Sequence, residues 1–181
     1  VEVYLSVHRA AERLMPLDTF VLTLFDSAVD EIEAVYLYDR GQRLPGERAP
    51  FGKGLSSEVI RTGKPILLTD ATKTNLEIIR RGEEDDNTRS ILAVPMTIGG
   101  RALGMLSAQS YQAEVYTNED IQLLGTLANQ AIVAIQNGRL FNETQTLASE
   151  LEMRVMERTG QLQREKQNID TLLRILTEVS S

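Results

Sequence analysis

The chain has 181 residues, 42% of them hydrophobic and 25% charged, which suffices for one core of ordinary size plus one long extra element and makes a second domain unexpected. Its net charge of −7, with basic residues scattered among acidic ones, argues against a nucleic-acid-binding or anionic-membrane surface. The absence of cysteine excludes disulfides, thiolate catalysis and cysteine-held metals or chromophores, and without a signal peptide or an apolar run near ~20 residues we expect a cytoplasmic location without membrane contact.

The first residues predict a helix followed by a β-hairpin. Apolar residues recur at helical spacing before Pro16, at Val3, Val7, Ala10 and Leu14. The only histidine, His8, lies on this helix, where we expect it at the surface. β-branched and aromatic residues fill Thr19 to Phe25 and Ile32 to Tyr38, and the polar residues between them favour a turn. We therefore expect two antiparallel strands here.

The next segment predicts a short helix between two irregular stretches. Glycines and prolines interrupt Asp39 to Pro50, where a short extra strand has room to form. Ser56 is the expected cap of a helix that ends at Gly63, and Ile66 to Thr69 predicts a strand. The stretch Gly52-Lys53-Gly54 lacks the other residues of a phosphate-binding loop, so we do not expect nucleotide binding of that kind.

The stretch from Asp70 to Arg89 is the least regular part of the chain. It carries a run of charged residues and no sustained periodicity. A connection of this length inside a compact domain is usually functional or mobile, which predicts a lid over a pocket. A solvated loop without a task is the alternative, and the sequence does not choose between them.

A second hairpin follows, with Gly99-Gly100 as its two-residue turn. It joins predicted strands at Ser90 to Ile98 and Arg101 to Ser110. In a regular register, Met96 would face Leu103 and Val94 would face Met105, on a bulky side that packs on the helices. The opposite side carries mostly small residues, which would leave room for a concavity or let a helix approach closely.

The last third of the chain predicts one very long helix, from Thr117 to about Val179. Thr117 and Asp120 have the spacing of a reciprocal capping box, and Tyr116 and Ile121 have that of a hydrophobic staple. No proline occurs in this stretch, so nothing obliges the helix to end. At 1.5 Å per residue it would be roughly 90 Å long, so we expect its second half to extend beyond a compact domain.

The apolar pattern changes along this helix. Up to residue 135 two stripes predict two packing neighbours: Ile121, Leu124, Ala128, Ile132 and Ile135 in one, and Leu123, Leu127, Ala131 and Ala134 in the other. From Leu140 a heptad seam continues in two registers, which differ by a four-residue stutter between Leu151 and Val155. Polar Arg158 and Glu165 weaken the second register. The seam predicts a coiled coil with a second copy; a solvated amphipathic helix folded back on its own domain is the alternative.

Several short motifs, taken in order, carry a resemblance to a known family. They are Gly52-Lys53-Gly54-Leu55-Ser56, Val59-Ile60-Arg61-Thr62-Gly63-Lys64-Pro65, Asp70, Ser90-Ile91-Leu92-Ala93-Val94-Pro95-Met96, Gly104-Met105-Leu106-Ser107, and Tyr116-Thr117-Asn118-Glu119-Asp120 with Leu123-Leu124 and Leu127-Ala128. Over roughly the first 140 residues, the chain resembles a GAF domain. The downstream residues that resemble the signalling helix of bacterial two-component proteins are Leu151-Glu152, Arg154-Val155, Glu157-Arg158-Thr159 and Leu162.

The resemblance implies an α+β fold, with a six-stranded antiparallel sheet that has helices on one face and a small-molecule pocket on the other. A GAF-like sensor domain would cover residues 1–139, and a coiled-coil connector would cover residues 140–181. The pocket positions that the resemblance implies are Tyr36, Phe51, Asp70, Ala71, Thr72, Ile79, Arg80, Ser90 and Gln109.

The resemblance also narrows the expected ligand. Family members that attach bilins or reduce methionine sulfoxide need cysteines, which this chain lacks. A haem would need an axial side chain, and His8 lies away from the expected pocket. Of the signature of cyclic-nucleotide-binding members only Glu119-Asp120 is present, and those residues are already explained by the helix start. We therefore expect no covalent chromophore and no haem, which leaves an unidentified non-covalent ligand.

The resemblance implies a regulatory, non-catalytic module. The favoured function is a sensor that binds a small molecule and signals through a dimeric coiled coil to an output domain of the same, longer chain. A ligand-free GAF module that serves as a dimerising spacer is the alternative. An enzyme is the third and least favoured class, because the chain offers no nucleophile–base pair, metal cluster or phosphate loop. The sequence identifies neither the ligand nor the output, whether a histidine kinase, a cyclase or another domain.

Overall fold

The computed structural model describes residues 2–74 and 88–179, with side chains described up to residue 175. The chain divides into two compact units, Val1–Gln136 and Asn137–Ser181. Within the described ranges, none of the helices combines the length and the apolar character that crossing a bilayer requires. The assignment of residues 1–139 to a sensor and 140–181 to a connector stays a prediction.

The first unit is built on one antiparallel sheet. Its strands are β1 (Thr19–Asp26), β2 (Glu31–Asp39), β3 (Gln42–Leu44), β4 (Glu47–Pro50), β5 (Ile66–Leu68), β6 (Ser90–Ile98) and β7 (Arg101–Ser110). They lie in the order β3-β2-β1-β7-β6-β5, and β4 also pairs with β2. β3 pairs with residues 37–39 of β2 and β4 with residues 31–34, so the two short strands share one edge. The predicted antiparallel sheet and both predicted hairpins are confirmed.

Helices pack on both faces of this sheet. α1 (Glu2–Leu14) and the beginning of α3 (Asn118–Val179) share one core with it, formed by Val7, Ala11, Phe20, Leu22, Leu92, Val94, Leu106, Leu124, Ala128 and Ile132 among others. α2 (Leu55–Thr62) packs on the opposite face, in a smaller core with Leu55, Val59, Ile60, Ile91, Ala93 and Met105. Alternate residues of β6 thus serve different cores, as the two-residue period of a strand requires.

The start of α3 agrees with the sequence in most respects. The helix runs for 62 residues, which confirms the predicted single long helix. Asp120 Oδ2 accepts the Thr117 N–H at 2.8 Å, which is one half of the predicted capping box. The Thr117 hydroxyl donates to the same carboxylate oxygen at 2.9 Å instead of accepting a backbone N–H. Leu124 and Ile132 of the first apolar stripe are fully buried, whereas Leu123 of the second is 44% exposed.

The register of the second hairpin differs from the predicted one. Residues 97 and 98 pair as expected across the turn, but Met96 then pairs with Gly104 instead of Leu103, which is left over as a bulge. Leu106 consequently lies with Leu92 in the core that α1 and α3 cover, and Met105 lies in the core that α2 covers. The prediction that Met105 shares a face with Met96 and Val94 is therefore wrong.

His8 lies inside the protein. It is 2% exposed, so the expected surface position is wrong. The centre of its ring lies 4.1 Å from the centre of the Tyr38 ring and 5.1 Å from that of the Phe20 ring, between α1 and the sheet. An aromatic pocket on the sheet accommodates the imidazole, which is why helical periodicity of aliphatic residues did not reveal it.

The second unit is a single helical stretch whose apolar side chains face solvent in the monomer. The seam residues that are more than half exposed are Leu140, Leu147, Leu151, Val155, Leu162, Ile169 and Leu172. Exposed apolar side chains in such a row are uncommon on monomeric proteins.

Candidate functional site

A cavity of about 660 Å³ lies on the α2 face of the sheet. Its floor is formed by β1, β2 and β7, through Thr19, Val21, Thr23, Ile32, Ala34, Leu37, Met105 and Gln109. Its walls are formed by β4, the following loop and the start of α2, which contribute Glu47, Arg48, Ala49, Pro50, Phe51, Gly52, Lys53, Gly54, Leu55 and Ser56. Pockets for small molecules typically measure about 300–1,000 Å³ and combine apolar walls with a few polar groups. The cavity lies within this range of volumes and combines apolar and polar lining residues.

The loop between β4 and α2 is held against the helix that follows it. The buried Ser57 hydroxyl accepts the Gly52 N–H at 3.1 Å, and the Arg61 guanidinium donates to the Gly52 carbonyl. The same guanidinium lies 5.6 Å from the centre of the Phe51 ring, within the range of a cation–π contact. These contacts fix the backbone of one cavity wall.

α2 begins without a side-chain cap. Its N-cap residue is Gly54, at φ 91° and ψ 172°, and no side chain accepts a backbone N–H there. The first helical bond runs from the Glu58 N–H to the Gly54 carbonyl, so the N–H groups of residues 55–57 have no partner within the helix. The prediction that Ser56 caps the helix is wrong, because the helix already begins at Leu55. Gly54 and Ser56 line the cavity, so the positive end of the helix dipole lies at its wall.

The polar part of the floor comes from Thr19 and Gln109, which are paired across β1 and β7. The Thr19 hydroxyl donates to Asp39 Oδ1 at 2.5 Å, and the Tyr111 hydroxyl donates to the same oxygen at 2.7 Å. Gln109 is 8% exposed, and its Nε2 donates to the Ser107 hydroxyl at 3.3 Å. Burial, with the hydrogen bond to Asp39, raises the pKa of Tyr111, so its hydroxyl stays a donor. The orientation of both floor residues is therefore set by protein partners.

Two of the site residues implied by the resemblance, Phe51 and Gln109, line the cavity. Tyr36 lies on the opposite face of the sheet, where its hydroxyl contacts His8. Ile79 and Arg80 lie outside the described residues. The structure thus brings two of these positions together at one cavity and places Tyr36 in the other core.

Asp70 and Thr72 form a local motif near the edge of the sheet. Asp70 precedes a short 3-10 helix, Ala71–Lys73, and its Oδ1 accepts the Thr72 N–H at 3.2 Å and the Thr72 hydroxyl at 2.6 Å. The hydrogen bond from the Thr72 hydroxyl, with that from Lys73, lowers the pKa of Asp70 to about 2. The Ala71 N–H donates to the Arg89 carbonyl, which connects the two ends of the predicted lid. Most of that lid, residues 75–87, lies outside the described residues.

Ser90 and Ala71 occupy structural positions: Ser90 lies on the same face of β6 as Leu92, and Ala71 lies on the α2 side of the sheet. The Ser90 hydroxyl accepts the Val115 N–H at 3.3 Å and lies 3.5 Å from the Leu68 carbonyl. Ala71 packs in the core beneath α2. Neither residue lines the cavity, nor do Asp70 and Thr72.

Several lining residues escaped the sequence reasoning, among them Thr19, Thr23 and Lys53. Thr19 and Thr23 share one face of β1 with Val21, and both threonines are almost fully buried. Two threonines four residues apart, on one face of a mostly apolar strand, are the signal that would have identified this face, since buried hydroxyls need partners.

Known proteins resemble this chain in sequence. A family model described as the GAF domain matches residues 2–136. The hybrid signal transduction histidine kinase G of Dictyostelium discoideum is 27% identical over 93 residues, which make up 51% of this chain and 3% of the kinase. The chain thus corresponds to a small part of that relative.

Solved structures share the fold. A free methionine-R-sulfoxide reductase from Neisseria meningitidis, in complex with its substrate, superposes with a TM-score of 0.62 at 23% identity, covering 76% of this chain and 80% of the reductase. The GAF domain of a two-component sensor histidine kinase from Bacillus halodurans gives 0.61 at 19% identity, covering 78% and 96% of the two chains. The GAF domain of an Acinetobacter phosphoenolpyruvate-protein phosphotransferase gives 0.60 at 19% identity, with coverage of 76% and 82%. At these identities the likeness concerns the fold alone.

Proposed function

The chain belongs to the GAF domain family, and on that basis we propose that it is the regulatory sensor module of a signal-transduction protein, as in bacterial sensor histidine kinases. It binds a small molecule non-covalently in the cavity and passes its state through α3 to an output domain. The observation that carries this proposal is the cavity of about 660 Å³, with oriented polar groups on its floor. A ligand-free dimerising spacer is the competing function, and it needs no such cavity.

The family includes a fold relative that is an enzyme, the methionine-R-sulfoxide reductase. A reductase of that kind needs a cysteine as its reducing group, and this chain has none. The polar groups of the cavity floor are amides and hydroxyls whose protons are committed to neighbouring side chains. They suit binding better than proton transfer, which supports a regulatory role.

A screen of the chain with metabolites and nucleotides, read by thermal unfolding, tests the sensor. A ligand at about 100 times its dissociation constant should stabilise the fold by about 2.7 kcal/mol. Val21→Phe fills the floor of the cavity and should abolish that stabilisation. Val133→Phe makes the same change on α3, away from the cavity, and should retain it. A screen in which no compound stabilises the chain favours the spacer, and equal responses in both variants would place the ligand elsewhere.

The exposed seam of α3 supports a homodimer. Burying a Leu, Ile or Val side chain contributes about 1.5–3 kcal/mol, and each copy offers seven such residues that are more than half exposed between Leu140 and Leu172. Two helices that pair along this seam would bury all of them at once. A parallel pair is favoured, because a transmitter delivers both outputs to the same end of the assembly.

Sedimentation equilibrium on the whole chain tests the dimer. Leu162→Lys places a charge in the seam and should yield a monomer, whereas Gln163→Lys, at the next and non-seam position, should leave the dimer intact. A wild-type monomer at high micromolar concentration would refute the proposal. Orientation is tested separately with Leu151→Cys and Ile169→Cys, whose thiols are unique in a chain without cysteine. Each variant should crosslink to itself in a parallel pair, whereas in an antiparallel pair at most one of the two can do so.

The stutter between Leu151 and Val155 is where the helix pair would absorb a change in register. Two neighbouring registers of similar energy form the two-state element that a transmitter needs. Deleting residues 152–155 joins the registers into one continuous heptad repeat and shifts the phase of the output. A seven-residue deletion from the first register retains both phase and stutter. Normal signalling by the full-length protein after the four-residue deletion, with the ligand response intact, would make α3 a passive spacer.

A further inference from the structure

We propose that the ligand of this cavity is a small anion with a hydrogen-bond donor at its other end: a carboxylate or phosphate group lies at the start of α2, and an amino, amide or hydroxyl donor lies on Thr19 and Gln109. The inference rests on the proposed sensor function, and it adds the chemical class of the ligand. The sequence pattern did not indicate it, since the loop before α2 lacks the phosphate-binding signature.

The wall at α2 is suited to an anion. The N–H groups of residues 55–57 have no helical partner, and none of the described side chains caps them. Unpaired N–H groups at the start of a helix, together with the helix dipole, attract carboxylate and phosphate oxygens. Gly54, at φ 91°, lets the chain enter the helix without placing a side chain between these groups and the cavity.

The loop that carries these groups is already held in place. Ser57 is fully buried and holds the Gly52 N–H, and Arg61 holds the Gly52 carbonyl. The binding wall therefore does not have to order when a ligand arrives, which removes one of the free-energy costs of binding.

One cation of the cavity wall lies next to the start of α2. Three of the lining residues are charged: Glu47, Arg48 and Lys53. Arg48 is engaged by Glu33 at 2.9 Å on the outside of the sheet. Among the described residues no carboxylate pairs with Lys53, which lies beside the start of α2 and is the cation available to a bound anion.

The floor of the cavity offers hydrogen-bond acceptors, which pair with a donor group of the ligand. Gln109 is more than nine-tenths buried and lines the cavity, and its Nε2 donates to Ser107. Among the described residues its Oε1 has no hydrogen-bond partner, so the acceptor of this amide is left for the ligand. The Thr19 hydroxyl donates its proton to Asp39, so it can act only as an acceptor toward a ligand. Gln109 lines the cavity, so a ligand that supplies an N–H or O–H can pair with this oxygen.

Two matched sets of probes test the class of ligand on the whole chain. The carboxylate set consists of the common L-amino acids and their methyl esters, and the phosphate set of nucleoside 5′-monophosphates and their parent nucleosides. Calorimetry should find at least one probe that binds through its carboxylate or phosphate, so that its ester or nucleoside, which lacks that anionic group, binds at least about tenfold more weakly, as expected for a lost charged contact. The set that contains the binding probe identifies the source of the anion.

Variants then locate the two ends of the probe. Lys53→Gln should weaken the anionic probe several-fold, whereas Lys64→Gln, a lysine that does not line the cavity, should not. Gln109→Met removes the acceptor and should weaken binding by about tenfold, and Gln109→Glu, which keeps an acceptor, should restore part of it. If Gln109→Met fails to fold, the comparison of acid with ester and of Lys53 with Lys64 still decides.

The outcomes separate this inference from the proposed function. An uncharged compound that binds in the Val21→Phe-sensitive cavity, equally well to wild type and Lys53→Gln, overturns the anion and leaves the sensor standing. Probes that bind without any effect of the Gln109 or Lys53 variants overturn the assignment of both ends. If neither these sets nor the wider metabolite screen yields a binder, both the inference and the sensor function fail.

Discussion

His8 Nδ1 lies 3.0 Å from the Tyr36 hydroxyl oxygen, and this hydrogen bond joins α1 to β2 inside the core. The other ring nitrogen, Nε2, is buried without a hydrogen-bond partner among the described residues, although Glu12 Oε1 lies 3.5 Å away. Burial lowers the pKa of His8; the charge of Glu12 opposes this shift and that of Arg9 adds to it. The folded chain therefore favours the neutral imidazole.

Acidification should destabilise the chain through His8. Because its folded pKa lies below the ordinary value of 6.5, the unfolded chain takes up the proton first. The free energy of unfolding should thus fall as the pH drops from about 7 through the ordinary pKa of histidine towards the folded one. In His8→Gln, which keeps a polar partner for Tyr36, this part of the slope should disappear. Urea unfolding of both chains across this range measures it, and parallel pH profiles would contradict the prediction.

Gly104→Ala and Gly125→Ala should change stability in opposite directions. A Cβ at Gly104 would collide with the Thr23 carbonyl oxygen and lie 2.6 Å from Met96 Cε, and the backbone oxygen cannot move aside cheaply. Overpacking of this kind costs about 1–3 kcal/mol. A Cβ at Gly125, on α3, meets nothing within 4 Å, so alanine should stabilise that helix by about 0.5–1 kcal/mol. Chemical denaturation of both variants gives the two signs, and destabilisation by Gly125→Ala would mean that this surface is covered.

Leu124→Ala and Leu123→Ala are identical changes on adjacent residues of α3. Leu124 is fully buried, and its truncation should cost about 2–5 kcal/mol. Leu123 is 44% exposed, and its truncation should stay within about 0.5 kcal/mol. Denaturation midpoints at unchanged m-value measure the difference. Similar losses in both would show that the second apolar stripe is also packed, as its spacing suggested.

The Asp70 carboxyl should titrate with a midpoint of about 2. Since its pKa is lowered in the folded chain, the stability that it contributes is present above the ordinary pKa of 3.8 and is lost as the pH falls towards 2. Thr72→Val removes the hydroxyl that donates to Asp70 at 2.6 Å and should raise the midpoint towards the ordinary value. Carboxyl carbon chemical shifts report the titration directly. Thr126→Val, whose hydroxyl bonds within α3, serves as the control and should leave the midpoint of Asp70 unchanged.

The fold was predictable wherever one period dominated a segment. Strand-like segments on both sides of the Gly99-Gly100 turn indicated a hairpin. A proline-free stretch after Thr117, with apolar residues at helical spacing, indicated the long helix. The register of β6 and β7 was not predictable, because the bulge at Leu103 depends on β1. Gly104 lies against the Thr23 carbonyl of that strand, and this packing is absent from the hairpin considered alone.

The site was predictable only in part, for a related reason. Phe51 and Gln109 came from family resemblance, whereas Thr19 was read simply as a strand residue. Its role as a floor residue depends on pairing with Gln109, which lies about half the chain away in sequence. Ser56 was predicted to be the cap from local preference, but the cap position lies two residues earlier, at Gly54, after a loop that is held by Ser57 and Arg61.

The short strand β4 forms a cavity wall and also lies at the rim of the sheet, where its outer backbone groups do not pair with another described strand. Unpaired edge strands can pair with a strand of another molecule, which can start aggregation. Glu47, Arg48 and Pro50 oppose this, since charged side chains repel a neighbouring strand and proline offers no N–H. The opposite rim, β5, is only three residues long and follows Pro65. Edges protected in this way disfavour intermolecular strand pairing when the protein is concentrated. If copies of the chain associate through helices, as proposed, amyloid-like strand stacking is therefore disfavoured as a competing form of assembly.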